Sequence, residues 1–377
     1  MADHLRHVTD ILRRHPVLDG HNDLPWEARR VGYDFEALDL AAGTVGRTHT
    51  DLPRLHEGCV GGQFWSVFVP CSLKGAEAVR ATHEQIDAVE EMARRWPGDL
   101  RLARTTDEVT RAFDDGMVAS LLGAEGGHSI NESLDELRSL FERGVRYLTL
   151  THNSNTPWAD SATDLPVLGG LSDFGHDVVR EMNSLGMLVD LSHVSHDTMR
   201  DALATTSAPA IFSHSSTYAL CDTPRNAPDD VLETLRDNGG VLMVTLVPYF
   251  LSQASRDWHV PLWEDMTRRG TIDDDDPAAY RAEVESWAAS YGVRPDATIQ
   301  DAVAHFEHAR EVMGIDHLGI GGDYDGVDHL PLGLEDVSTY PLLFAALAER
   351  GWSDDDLAKV ANRNVLRVLR AAEDAAD

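Results

Sequence analysis

Residues 17–23 read VLDGHND, a short apolar run that passes directly into a histidine, an asparagine and an aspartate. Seven further runs rich in Val, Leu and Ile follow along the chain, separated by longer amphipathic stretches with helical spacing. The eight runs are residues 17–20, 63–69, 117–124, 146–150, 187–191, 209–212, 241–247 and 318–321. Each run is short enough to be a strand buried on both faces. Strands that alternate with helices predict a parallel sheet.

Eight such strands in a chain of 377 residues favour a (β/α)₈ barrel, a TIM barrel with loop insertions, since eight parallel strands close a sheet without edges. An open, doubly wound sheet is the structural alternative. No Gly-Ser linker or composition break divides the chain, so we expect one domain over residues 1–377, with the barrel strands within 17–321.

Two stretches outside the strands carry their own expectations. Ser353 and Asp356 have the spacing of a capping box, which predicts a C-terminal helix over residues 354–371. Residues 252–300 are the least regular part of the sequence and include the acidic run Asp273–Asp276. We expect a solvated insertion there, between the last two strands.

The composition excludes several classes of protein. The chain has 32 basic and 64 acidic residues, a formal charge of −32 that repels nucleic acid and anionic membranes. No apolar stretch approaches the roughly 18 residues of a transmembrane helix, and the N-terminus does not resemble a signal peptide. Three widely spaced cysteines fit neither a disulfide scaffold nor a cysteine-built zinc site. We therefore expect a soluble, cytoplasmic protein in which His and carboxylates hold any metal.

Polar residues that can bind a metal follow six of the eight runs. They are His21 with Asp23, Glu125, His152, His193, His214 and Asp323. Because the carboxyl ends of the strands meet at one face of a barrel, we expect these side chains to converge there.

The residue types indicate the kind of metal site. His21 and Asp23 alternate along an extended segment, so their side chains point the same way, and Asn22 points elsewhere. Imidazoles and carboxylates without thiolates suit Zn²⁺, and Mn²⁺, Co²⁺ and Fe²⁺ use the same ligands. The candidate ligands outnumber those that one tetrahedral ion accepts, so we expect two ions, with Glu125 able to bridge them.

At these positions the sequence resembles the membrane dipeptidase (renal dipeptidase) family of amidohydrolase-type barrels. The resemblance runs through most of the chain. It is carried by DGHNDLPW (19–26), GGQFWSVFVPC (61–71), EGGHSI (125–130), RYLTLTHNSNTPWADS (146–161), VDLSHVS (189–195), FSHSS (212–216), RNAPDDV (225–231) and GIGGDYDGV (319–327).

The resemblance implies a binuclear zinc hydrolase of dipeptides. His21 and Asp23 would hold one ion, His193 and His214 the other, with Glu125 as the bridge. Asp323 would contact the first ion and shuttle the proton. The chemistry of peptide hydrolysis agrees, since two zinc ions lower the pKa of a bound water from 15.7 to about 7 and so supply a hydroxide nucleophile.

The remaining implied roles concern the substrate. His152 would stabilise the oxyanion, and Arg225 would bind the free carboxylate of the dipeptide, a group that a guanidinium matches in geometry. Trp26 and Tyr249 are candidates to line the pocket. The family commonly accepts a D-residue at the C-terminal position, so L-Xaa-D-Xaa dipeptides are among the expected substrates.

The sequence also departs from animal members, which are secreted, lipid-anchored and disulfide-bonded. Cys71 is retained where Ser154 replaces its partner, and Cys221 is retained where Ser252 replaces its partner. We therefore expect neither disulfide, and the polar ending AAEDAAD carries no anchor signal. These departures indicate a soluble bacterial member. Relatives are often homodimers, so the resemblance allows a homodimer.

Two other functions stay open at this point. One keeps the metallohydrolase but changes the substrate to a non-peptide amide or a lactone, in which case Arg225 would have no carboxylate to bind. The other is a metal-dependent ligand-binding barrel without turnover.

Overall fold

The strands of the computed structural model, which describes residues 2–271 and 277–376, confirm the predicted barrel. Within those residues nine parallel strands form one sheet. They are β1 (Val17–Asn22), β2 (Val60–Ser66), β3 (Leu100–Leu102), β4 (Val118–Glu125), β5 (Val145–Thr149), β6 (Leu188–Asp190), β7 (Ile211–Ser215), β8 (Val241–Val244) and β9 (Leu318–Ile320). Eight of them close in the order β2-β1-β9-β8-β7-β6-β5-β4, and β4 pairs back with β2. The open-sheet alternative is wrong.

Strand β3 is an addition that the sequence analysis missed. It pairs with the first residues of β4, where Leu100 lies opposite Val118, and it is not part of the closed ring. The last residues of β4 pair with β5, where Glu125 lies opposite Thr149. Because β4 is eight residues long, it has room for both neighbours on one side.

The helices surround the barrel and begin at the expected kinds of residue. Ser172 caps the helix before β6 by accepting a hydrogen bond from the Gly175 amide, and Gly186 ends it with φ 75°. The helices are α1 (Ala2–Arg14), α2 (Leu24–Arg30), α3 (Leu52–Glu57), α4 (Ala76–Arg95), α5 (Thr106–Asp114), α6 (Leu134–Glu142), α7 (Asp173–Leu185), α8 (His196–Thr205), α9 (Asp229–Asn238), α10 (Pro248–Leu251), α11 (Gln253–Arg269), α12 (Pro277–Tyr291), α13 (Ile299–Met313), α14 (Tyr340–Glu349), α15 (Asp354–Ala358) and α16 (Asn364–Ala375). No helix in the described ranges is both long and apolar enough to cross a membrane.

Large side chains fill the barrel interior. Phe64, Tyr147 and Met243, from three well-separated strands, belong to one fully buried cluster, and the Phe64 and Tyr147 rings lie 5.1 Å apart. Burial of each such side chain stabilises the fold by about 1.5–3 kcal/mol. The interior is therefore a packed core, and the space for chemistry lies at the strand ends.

The stretch 252–300 is more regular than expected. It consists mainly of α11 and α12, which pack against each other through a separate apolar cluster that includes Trp258, Leu262 and Tyr280. The predicted insertion between the last two barrel strands is therefore present, and it is mainly helical. The acidic run Asp273–Asp276 lies outside the described residues.

The C-terminal helix is interrupted. The capping box of Ser353 and Asp356 is confirmed, but α15 passes through a π-helical turn at Lys359–Arg363 before α16 begins. The predicted C-terminal helix over 354–371 is therefore present, with a π-helical turn inside it and an end at Ala375. In the turn and just after it, the Asn362 amide donates to the Pro16 carbonyl (2.7 Å) and the Asn364 amide to the Leu318 carbonyl (2.8 Å). These bonds tie the interruption to the amino ends of the strands.

Candidate metal centre

The structure brings the six sequence-predicted metal ligands together at the carboxyl ends of the strands. All six are buried, and their ligand atoms form three overlapping groups in which every atom lies within 4.8 Å of the others. The groups are His21 with Asp23 and Glu125, Glu125 with His193 and His214, and His21 with His214 and Asp323. Residues from five different strand ends thus meet in one place.

Glu125 is at the centre of this cluster. Its Oε1 lies 2.9 Å from Nε2 of His193 and 3.3 Å from Nε2 of His214, and its Oε2 lies 3.4 Å from Nε2 of His21. Gly126 follows with φ 104°, and a Cβ there would approach the His128 ring to 2.5 Å. Only glycine lets the chain turn this sharply behind the carboxylate. One oxygen of the carboxylate therefore faces two imidazoles, and the other faces a third.

The hydrogen bonds behind His21 determine which of its nitrogens carries the proton. Tyr147 donates its hydroxyl proton to the Gly20 carbonyl at 3.2 Å, and the same hydroxyl oxygen lies 2.9 Å from Nδ1 of His21. Nδ1 is then the donor to that oxygen. Nε2 of His21 has no hydrogen-bond partner, lies 3.3 Å from Oδ2 of Asp23, and is the nitrogen that can present a lone pair to a bound cation.

His214 is oriented in the same way. The Ser213 hydroxyl donates to Oδ2 of Asp190 at 2.6 Å and lies 2.8 Å from Nδ1 of His214, so Nδ1–H donates to the hydroxyl oxygen. Nε2 of His214 therefore also presents a lone pair, 3.0 Å from Nε2 of His193. A carboxylate or serine behind a histidine is the arrangement that orients metal-binding imidazoles.

These residues fit a metal. Three imidazoles and three carboxylates converge with their ligand atoms within 4.8 Å of one another in each group, a buried arrangement that a shared cation would stabilise. Burial raises the pKa of Asp323 well above its usual range, and the neighbouring carboxylates Asp23 and Glu125 raise it further. The donors are nitrogen and oxygen, the set that Zn²⁺ and the other divalent transition metals accept.

Two of the candidate ligands hold an uncommon backbone conformation. His193 has φ 66° and Asp323 has φ 59°, in the left-handed region. Hydrogen bonds stabilise both: the Ala162 amide donates to the His193 carbonyl at 2.8 Å, and the Asp323 amide donates to the His21 carbonyl at 3.1 Å. Such conformations cost about 1–3 kcal/mol each and cluster at functional sites.

His152 lies beside the cluster rather than within it. Its Nε2 is 3.9 Å from Oε1 of Glu125, its ring centre is 4.4 Å from that of His193, and its Nδ1 is 3.5 Å from Sγ of Cys71. Burial lowers the pKa of His152 to about 4. The ring is therefore neutral at physiological pH and can donate one hydrogen bond.

Arg225 is a buried guanidinium with few partners. It is 2% exposed and donates to the Ser215 hydroxyl and to the His214 carbonyl, both at 3.3 Å, while its Nε has no partner. No carboxylate in the described part of the chain forms an ion pair with it. Burial lowers its pKa to about 10, which leaves it charged. A charge buried this way is suited to an anionic ligand.

The two candidate pocket aromatics differ. Trp26 is buried against Phe68 at 5.1 Å, and Phe68 in turn lies 4.8 Å from the His152 ring, so Trp26 reaches the site through one neighbour. Tyr249 stacks on His259 of α11 at 4.1 Å. Burial raises the pKa of Tyr249 well above its usual range, and the charge of Asp323 contributes. Within the described residues, neither aromatic ring packs against the ring of a candidate ligand.

Sequence reasoning missed the residues that support the cluster, above all Asp19, Tyr147 and Asp190. The Asp19 carboxylate accepts the amides of His21 (3.2 Å) and Gly322 (2.8 Å), so it joins β1 to the segment after β9. Its place two residues before His21, on the same face of the strand, is a signal that could have identified it. Tyr147 and Asp190 carry no such signal, since they act only through the folded arrangement.

Comparison with known proteins gives one family and a consistent set of structures. A family model described as membrane dipeptidase (peptidase family M19) matches residues 5–377. The probable dipeptidase PvdM from Pseudomonas aeruginosa is 24% identical over 100% of both chains, with a TM-score of 0.85. The metallopeptidase dipeptidase AC is 25% identical over 95% of this chain and 98% of that chain, with a TM-score of 0.79.

A further solved structure was determined with a ligand. It is a metallopeptidase from Rhodobacter sphaeroides bound to a phosphinate mimic of the dipeptide L-Ala-D-Ala. It is 24% identical over 95% of this chain and 99% of that chain, with a TM-score of 0.78. These likenesses agree with the barrel described above.

Proposed function

The chain belongs to the membrane dipeptidase family, peptidase family M19, a family of metallo-dipeptidases, and from this premise we propose that it hydrolyses dipeptides with a free C-terminal carboxylate by means of two zinc ions. The observation that carries the proposal is Glu125, whose Oε1 faces His193 and His214 and whose Oε2 faces His21, all within 3.4 Å. This arrangement is what a bridging carboxylate between two ions requires.

His21 and Asp23 would hold one ion and His193 and His214 the other, with Glu125 shared and Asp323 touching the first. When bound, the ions would polarise the peptide carbonyl and make water nucleophilic at neutral pH. Mn²⁺, Co²⁺ or Fe²⁺ would suit the same donors.

Asp323 is the proposed proton carrier. Its carboxylate would take a proton from the water that attacks the carbonyl carbon and return it to the amide nitrogen as the C–N bond breaks. Its Oδ1 lies 4.0 Å from Nε2 of His21, within the group of candidate ligands.

His152 is the proposed oxyanion donor. As a neutral ring at the edge of the cluster, it would donate Nε2–H to the carbonyl oxygen as negative charge develops there. Its lowered pKa of about 4 supports a neutral donor over the working pH range.

Arg225 is the proposed site for the substrate carboxylate. Its buried guanidinium has an Nε without a partner and two long hydrogen bonds that a carboxylate would replace or supplement. Trp26 and Tyr249 would line the walls around the substrate side chains.

We extend the proposal to L-Xaa-D-Xaa dipeptides. The support is the Rhodobacter sphaeroides metallopeptidase, whose bound ligand mimics L-Ala-D-Ala. Arg225 would bind the carboxylate of the dipeptide and His152 the carbonyl oxygen of its amide. Neither contact involves the C-terminal side chain, so the site would tolerate either configuration there.

A dipeptide panel tests the proposal. We expect the metal-loaded protein to release amino acids from L-Xaa-L-Xaa and L-Xaa-D-Xaa dipeptides, and the chelated protein to be inactive until zinc is restored. C-terminally amidated dipeptides serve as the matched control and should be poor substrates. Metal analysis of the same preparation should give two ions per chain. Hydrolysis of lactones or non-peptide amides with no dipeptide turnover would overturn the proposal.

A further inference from the structure

The thiol of Cys71 lies against the back of the proposed oxyanion donor. We propose that Cys71 is a positioning residue for His152: its S–H donates to Nδ1 and so fixes the tautomer in which Nε2 carries the proton. The inference rests on the proposed function for its effect on catalysis, but the tautomer itself is a property of the protein alone.

The contact is formed between two loops at the same face of the barrel. Cys71 follows β2 and His152 follows β5, and Sγ lies 3.5 Å from Nδ1, a normal distance for a hydrogen bond to sulfur. The Phe68 ring packs against the His152 ring at 4.8 Å and limits its rotation. The imidazole is thus held from two sides, with one polar contact on Nδ1.

The direction of that hydrogen bond decides what His152 can do. A neutral imidazole carries one N–H, so Nδ1 and Nε2 cannot both donate. Nε2 faces the candidate metal centre, 3.9 Å from Oε1 of Glu125, so the proposed role as oxyanion donor needs the proton on Nε2. The thiol is therefore the donor and Nδ1 the acceptor. The reverse arrangement would leave Nε2 unable to stabilise an oxyanion.

The alternative for such a pair is a thiolate beside an imidazolium, which would make Cys71 a nucleophile. The surroundings disfavour it. Burial, together with the nearby positive charge of Arg225, lowers the pKa of His152 to about 4 and so disfavours an imidazolium. The proton therefore stays on sulfur.

The chain's sequence makes this contact available. A cysteine engaged in a disulfide has no S–H, and Cys71 is a thiol here, as are Cys59 and Cys221. Ser154 stands where the resemblance places the disulfide partner of animal members. The loss of that partner leaves a proton donor behind His152.

The first test is kinetic. We expect Cys71→Ala to lower kcat for a dipeptide by about 3- to 10-fold, the loss of one hydrogen bond, with KM unchanged. Cys71→Ser, which keeps a donor, should restore kcat to within about twofold of wild type. Cys59→Ser is the control, since this thiol lies at the amino end of β2, and it should leave kcat unchanged. Equal kcat in Cys71→Ala and wild type would overturn the proposal, as would a drop that Cys71→Ser does not relieve.

The second test does not depend on activity. Nitrogen NMR of ring-labelled histidines, with the His152 signals assigned by their loss in His152→Asn, should show Nε2–H in wild type and a mixed tautomer in Cys71→Ala. A wild-type ring protonated on Nδ1, or ultraviolet absorbance of a Cys71 thiolate, would overturn the proposal. If the wild type hydrolyses no dipeptide, the proposed function fails, and the NMR result still decides the tautomer.

Discussion

Arg146 and Arg225 are both buried guanidiniums, at opposite ends of the barrel. They are 8% and 2% exposed, each lies over a phenylalanine ring, and burial lowers the pKa of each to about 10. Arg146, near the start of β5, donates to three carbonyls at 2.6–3.0 Å, those of Arg104, Phe141 and Val145. Arg225 has only two contacts, both at 3.3 Å, and an Nε without a partner.

The difference shows how the two ends of the barrel are used. At the amino end, buried polar groups find partners within the chain, as the Asn362 and Asn364 amides also do. At the carboxyl end, Nε2 of His21 and Nε of Arg225 do not. An unpaired buried charge costs several kcal/mol. The hydrogen-bonded polar groups at the amino end stabilise the fold enough to tolerate unpaired groups at the carboxyl end.

The largest effect should follow a change at the carboxyl end. We expect Asp323→Asn to lower kcat for a dipeptide by about 10²–10⁴-fold, because the amide cannot carry the proton. Metal content and the thermal unfolding midpoint should stay close to wild type, since the other five candidate ligands remain. Wild-type turnover would remove Asp323 from proton transfer, and loss of all metal would make it primarily a ligand.

Substitution of the two arginines should change different properties, substrate binding at Arg225 and stability at Arg146. Arg225→Met should raise KM for dipeptides by about 10- to 100-fold, the loss of a charged hydrogen bond, without lowering the free energy of unfolding. Arg146→Met should lower the free energy of unfolding by about 3 kcal/mol and leave KM unchanged, because three carbonyls lose their donor. Steady-state kinetics and urea denaturation of both variants measure this. Equal effects of the two changes on KM would refute the contrast.

His305 shows what a satisfied buried histidine contributes. Its Nδ1 accepts the Thr217 amide at 3.1 Å, which leaves Nε2–H to donate to the Leu251 carbonyl at 3.0 Å, and burial lowers its pKa to about 4. The unfolded chain binds this proton near pH 6.5, so the stabilisation is complete above that pH and is lost as the pH falls toward 4.

We therefore expect His305→Gln to have a shallower loss of stability between pH 6.5 and 4 than wild type, by up to about 3 kcal/mol. Urea denaturation of the metal-loaded proteins at several pH values measures the difference. His4→Gln, at an exposed position, is the control and should follow wild type. Parallel curves for His305→Gln and wild type would show that His305 does not stay neutral in the folded state.

The smallest effect should come from the amino end alone. Asn364→Ala removes the donor to the carbonyls of Ile315 (2.7 Å) and Leu318 (2.8 Å) and should lower the free energy of unfolding by about 1–2 kcal/mol. The specificity constant should not change. A fall in activity without a fall in stability would mean that this end communicates with the site.

The same contrast explains how far the sequence could predict the fold. Strands buried on both faces leave apolar runs, so all eight barrel strands were visible, although β2 begins three residues before its run. Strand β3 was not visible, because it has three residues and Arg101 at its centre. The helices α11 and α12 were missed because they pack mainly on each other, and the sequence pattern of either helix alone does not predict that pairing.

The candidate site could be predicted only in part, for a related reason. Glu125 directly follows its run and His214 stands two residues after the end of its run, so their positions alone predicted that they lie at the carboxyl end of the barrel. Tyr147 and Ser213 look like ordinary strand residues, and their role behind His21 and His214 depends on register and on which proton goes where. The sequence contains these residues, but only the folded geometry gives them a function.

The left-handed backbone at His193 and Asp323 limits how this site can evolve. A residue at either position must first adopt that conformation, whatever donor atom it carries. β-Branched residues rarely adopt it. Exchange of ligands by single substitutions is thus narrowed to a few residue types, among them Asn, Asp and His. A change of metal preference in this lineage would have to arise elsewhere, at positions such as Asp23 that carry no such backbone demand.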